Sequence, residues 1–94
     1  MHDEDIRRRA LTPAQEDEIV ERSVLTEVLL LRPAQLTILE VALRTEALRE
    51  KGGEDAVERA VRELARDGLI TCDCRRLAPS RAAVRFDELL GGVN

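Results

Sequence analysis

The sequence predicts an α+β protein that is mainly helical and carries one small β-hairpin. Three observations predict it. Capped helix starts recur, at Thr12-Pro-Ala-Gln15, at Thr37-Ile-Leu-Glu40 and at Ser80-Arg81. Residues 54–67 place apolar side chains at helical spacing and stop at Gly68. Leu69-Ile-Thr71 and Arg76-Leu-Ala78 then flank a tight turn at Cys72-Asp-Cys-Arg75.

The chain has 94 residues, enough for one domain with a modest core. Residues 1–11 hold Asp3-Glu-Asp5 and Arg7-Arg-Arg9 with little to bury, so a flexible N-terminal arm is expected there. The domain proper should span 12–90, with 91–94 as a tail.

In the first helix Thr12 is the expected N-cap, Pro13 fits the first turn and Gln15 closes a capping box. Glu16, Asp17 and Glu18 then lie where the helix dipole favours negative charge. The helix should run to about Leu31 and stop at Arg32-Pro33. Val20, Val24, Val28 and Leu31 make one apolar stripe, and Leu25 and Leu29 a second. A helix apolar on so many sides must be covered on more than one of them, so Leu25 and Leu29 are candidates for a homodimer contact.

Thr37 with Glu40 starts the second helix, expected over Ile38–Glu50 with Leu39, Ala42, Leu43 and Ala47 inward. Gly52-Gly53 supplies the turn. In the third helix, Val57, Ala60, Val61 and Leu64 should face the core. Arg59, Arg62 and Arg66 lie opposite, with Asp55 and Glu58 placed to pair with Arg59 and Arg62 at i,i+4. The hairpin follows, Pro79 ends it, and Ser80 caps a last helix to about Leu90 that carries Val84, Phe86, Leu89 and Leu90.

Composition narrows the function. Hydrophobic residues are 44% of the chain, yet Phe86 is the only aromatic, so the core must come from Leu, Val, Ile and Ala. Aromatic platforms for stacking single-stranded bases are missing. The net charge of −4 is not the balance of a bulk nucleic-acid binder, though the last third of the chain is positive. The only histidine is His2, and no phosphate loop or nucleophile elbow occurs, so neither an enzyme nor a cofactor is expected. Cys72 and Cys74, one residue apart, make a poor disulfide. Free thiols and the lack of an early apolar run point to a cytoplasmic protein away from membranes. With Asp73, the two cysteines fall short of a zinc set within one chain, which leaves a metal or thiol sensor as a minor alternative.

Residues 19–90 resemble the winged helix-turn-helix superfamily of small bacterial regulators. The order of elements carries the resemblance, together with Val61-Arg-Glu-Leu-Ala-Arg-Asp-Gly-Leu-Ile70, which looks like a third helix entering a wing through two aliphatic residues. Ser80-Arg-Ala-Ala-Val-Arg-Phe-Asp-Glu-Leu89 is similar to the helix that closes many such domains. The resemblance implies a three-helix core, a short wing and a C-terminal helix. It also implies a transcriptional regulator bound to double-stranded DNA as a homodimer. The positions that would face DNA are Arg59, Arg62 and Arg66 on the third helix and Arg75 and Arg76 on the wing; Arg81 adds charge just beyond. The third helix departs from the pattern, having more acids than arginines and no Ser, Thr, Asn or Gln to read base edges. The alternative is a protein–protein adaptor on the same fold.

Overall fold

The protein is described by a computed structural model over residues 12–44 and 53–92. The expected arm, the end of the second helix beyond Arg44, Gly52 and the last two residues lie outside that description.

Helix α1 spans Pro13–Leu30. Its start is the expected capping box: the Gln15 N–H donates to the Thr12 hydroxyl (3.1 Å), and the Thr12 N–H donates to Gln15 Oε1 (2.8 Å). Val20, Val24 and Val28 are buried as the stripe requires. Leu31 is not the fourth member, because the helix has ended there and Leu31 is its half-buried C-cap. Leu29 is buried instead, and Leu25 packs against the core. Of the expected Leu25/Leu29 dimer stripe, Leu29 is thus buried within the chain and Leu25 is half-buried.

Strand β1, Leu36–Thr37, leads directly into α2, Ile38–Arg44. The Thr37 N–H donates to Glu40 Oε1 (2.8 Å) and the Glu40 N–H to the Thr37 hydroxyl (3.1 Å), the second capping box. The helix is rotated from the expected phase. Val41 and Ala42 are buried, with Ile38 against the core, while Leu39 and Leu43 are half exposed. The helix begins at Ile38 as expected; its inward face is the one that packs against α1 and the following helix, Gly53–Arg66.

Helix α3, Gly53–Arg66, buries Ala56, Val57, Ala60, Val61 and Leu64, one face at i, i+3, i+4 spacing. It stops at Gly68, whose φ is +78°. The Leu69 N–H donates to the Leu64 carbonyl (2.9 Å) and the Gly68 N–H to the Ala65 carbonyl (3.1 Å). That double bond is a Schellman stop, and only glycine takes the left-handed position cheaply.

Strands β2, Ile70–Asp73, and β3, Arg76–Pro79, form the hairpin. They reach further than expected, leaving Cys74 and Arg75 alone in the turn, at φ +53° and +65°. Two positive φ values match a two-residue hairpin turn whose twist suits the strands. A further difference is that the hairpin is not alone. β1 joins it in an antiparallel sheet of order β1-β3-β2, with Leu36 opposite Leu77 and Leu77 opposite Cys72. Leu77, at the centre, is fully buried.

Helix α4, Arg81–Leu89, is capped by Ser80, whose hydroxyl accepts from the Ala83 N–H (3.1 Å). Its inward residues are Ala83 and Asp87. Phe86, Leu89 and Leu90, which apolarity alone would place inside, are exposed. The described chain is thus an α+β fold with four helices and a three-stranded sheet around one core. The largest fully buried side chains of that core are Leu77, Val24, Val28, Val41 and Val57.

Candidate nucleic-acid interface

Helix α3 sets its outer face by the same periodicity that buries its inner one. Arg59, Arg62 and Arg66 all project into solvent. Each has an acid nearby. Arg59 Nη2 lies 4.0 Å from Asp17 of α1, Arg62 Nη2 lies 3.9 Å from Glu58, and Arg66 Nη1 lies 3.2 Å from Glu63. The Glu58–Arg62 pair is the one its spacing suggested; Arg59 meets Asp17 across the helix interface rather than Asp55. Exposed pairs of this kind contribute little to stability. Their importance is that they lower the positive potential of the face.

Between α1 and α3 runs a groove of about 530 Å³. Ala14, Val20, Ala56 and Ala60 line its apolar part, with Asp17, Glu21, Glu63 and the three arginines among the charged lining. Glu21 reports the local field. Burial, and then the charges of Glu63, Asp17, Asp67 and Glu18, hold its carboxyl above the ordinary value. Acids, not bases, dominate the field at this end of the groove.

The hairpin differs. Arg75 stands exposed at the turn, and Arg81 is exposed on the first turn of α4. Neither makes an ion pair among the described residues. Arg76 leans back toward β1, donating to the Gln35 carbonyl at 3.3 Å. Its charge also helps to hold Glu40 below the usual carboxylate range, although the Thr37 backbone N–H and then the Thr37 hydroxyl do more. The six arginines therefore fall into three places: Arg59, Arg62 and Arg66 beside acids on α3, Arg75 and Arg76 at the hairpin tip, and Arg81 at the start of α4.

Cys72 and Cys74 are exposed free thiols. Among the described residues no group of three or more His, Cys, Asp or Glu is placed to hold a metal ion. No described helix is long and apolar enough to cross a membrane.

Sequence reasoning missed one functional-looking contact. Arg32 at the end of α1 reaches Asp87 of α4, with Nη1 3.0 Å from Oδ2, and donates to the Leu29 carbonyl at 2.7 Å. Asp87 is the one buried charged residue of the described chain. Its only sequence signal was its place one turn after Ala83, at i,i+4 on what became the inward face, with Glu88 directly after it. No protein-family profile matches the chain, and neither a curated protein nor a solved structure matches it.

Proposed function

We propose that the protein is a small winged-helix, DNA-binding regulator that acts as a homodimer and grips DNA chiefly through its hairpin. The observation that carries this reading is that Arg75 and Arg76 stand at the tip of a hairpin that directly follows a helix ending in Gly68, with Arg81 beyond the base of that hairpin on α4. Arg75 and Arg81 are free of ion pairs among the described residues, and so are available to phosphate. The acids beside Arg59, Arg62 and Arg66 make α3 a poor reader of base edges. The expected mode is therefore sequence-tolerant contact with the DNA backbone.

Such contact releases counterions. With two or three phosphates neutralised, log K should fall against log salt with a slope of about −2 to −3. Titration of fluorescent duplex at low ionic strength measures it. Replacing Arg75 and Arg76 together with Ala should flatten the slope by about 1 to 2 and weaken all sequences alike. If no binding is detectable at about 50 mM salt, DNA is not the ligand. A second reading then takes over, that of a protein–protein adaptor. The exposed apolar residues of α4 favour that reading specifically.

A further inference from the structure

The hairpin tip holds the only two thiols of the protein, Cys72 and Cys74, both exposed and free. Cys72 lies in β2 opposite Leu77, which is fully buried, so it stands on the core-facing side of the sheet, at its rim. Cys74 lies further out, as the first of the two turn residues, with Arg75 directly after it. Two thiols one residue apart are poorly placed to bridge each other. Among the described residues they also belong to no group of three or more His, Cys, Asp or Glu placed to hold a metal ion. The chemistry open to Cys74 is then exchange with an outside sulfur. The charge around it selects the partner. Within residues 70–79, Arg75 and Arg76 outnumber the single acid, Asp73. Arg75 makes no ion pair among the described residues, and Arg76 donates to the Gln35 carbonyl at 3.3 Å rather than to Asp73, its ladder partner. The tip is thus positive, whereas each outward arginine of α3 has an acid beside it.

We propose that Cys74 is a modification site that takes up small anionic thiols as mixed disulfides, with Arg75 and Arg76 conferring the preference for anionic reagents. Glutathione disulfide represents the class. The Cys74 thiolate attacks one sulfur of the reagent. A Cys74 Sγ–S bond forms as the reagent's S–S bond breaks, and the electron pair leaves with the second sulfur. That sulfur takes up the proton Cys74 gave up, so Cys74 is oxidised and one glutathione departs reduced. Cys72 is badly placed to displace the adduct, so the mixed disulfide persists until an outside thiol reverses it. The adduct sets carboxylates beside Arg75 and opposes phosphate contact there. That consequence rests on the proposed DNA contact; the thiol chemistry does not.

The test follows adduct formation on the reduced full chain by intact mass, without DNA and at low salt. Two reagents are compared, glutathione disulfide and its cationic counterpart cystamine. The ratio of their rates should favour glutathione about five- to tenfold more in the wild type than in Arg75→Gln with Arg76→Gln, and the difference should vanish near about 1 M salt. Fragmentation of the hairpin peptide should place the adduct on Cys74. Cys72→Ser should keep the selectivity and Cys74→Ser should lose it, both with the wild-type circular dichroism spectrum. Three results would overturn the inference. One is a rate ratio that the arginine substitutions leave unchanged. Another is a chain that loses two hydrogens and gains no adduct, which would mean that Cys72 and Cys74 bridge. The third is an adduct confined to Cys72. In a separate duplex titration the Cys74 adduct, with one net negative charge, should flatten the salt slope by about 1. If no form of the protein binds DNA, the regulator reading falls and the rate measurement still decides the thiol site.

Discussion

Breaking the Arg32–Asp87 pair from one side should be the most damaging polar substitution in the described chain. In Arg32→Met the stem still packs, but the Asp87 carboxylate, with its side chain 7% exposed, loses its cation. The Leu29 carbonyl near the end of α1 also loses its 2.7 Å donor. Orphaning one member of a fully buried pair costs about 3–5 kcal/mol. Here the Arg32 side chain is 29% exposed, so water can partly replace it, and about 2 kcal/mol is expected. For a domain of this size that lowers Tm by about 8–16 °C. The double variant Arg32→Met with Asp87→Leu removes both charges and should lie within about 1 kcal/mol of wild type. The coupling should therefore be large, with the double variant far less damaged than the sum of the singles. Urea unfolding followed by far-UV circular dichroism suits the test, since the chain has neither Trp nor Tyr for fluorescence. Should Arg32→Met cost less than about 0.5 kcal/mol, or should the two single effects simply add, the pair is not what orients α4.

Two further predictions concern local energetics. At the hairpin turn, Cys74→Asn combined with Arg75→Gly supplies residues that accept the left-handed region, and should stabilise the protein by about 0.5–1 kcal/mol in the same unfolding assay. Destabilisation would mean that the Cys74 and Arg75 side chains contribute more than their backbone strain costs. In the α1/α3 groove, Glu21 holds its proton more tightly when folded than its ordinary value of 4.5. The folded state thus binds more protons than the unfolded state just above that value, and this group's contribution to stability falls as pH rises through the window. Glu21→Gln should raise stability at neutral pH relative to acid pH; a variant with an unchanged pH profile would contradict this.

Much of the framework was legible in the chain because its signals are local. Thr12, Thr37 and Ser80 cap helices through atoms three residues away, and Gly68 stops α3 through its own backbone. The inward stripe of α3 follows from spacing alone. What escaped was set by distant partners. The inward face of α2 depends on how α1 and α3 pack against it, so Val41 rather than Leu39 became core. The orientation of α4 depends on Arg32, and an aspartate near three large apolar residues gives no local hint that it will be the buried one. At the candidate interface the residue types were readable, since the arginines and their acids are neighbours in sequence. That Arg59 would meet Asp17 across two helices, leaving the hairpin as the positive end, required the packing.

The strand order carries a consequence for how the protein is made. β3 is the middle strand, yet it is the last of the three to be synthesised. Until Arg76–Pro79 has emerged from the ribosome, neither β1 nor β2 has its ladder partner, and the place of Leu77 in the core stands empty. The nascent chain can accumulate helices but cannot close. Closure then comes as a single late event, joining the segment before α2 to the one after α3, so a chain interrupted before Arg76 should remain an open, protease-sensitive intermediate rather than a smaller domain.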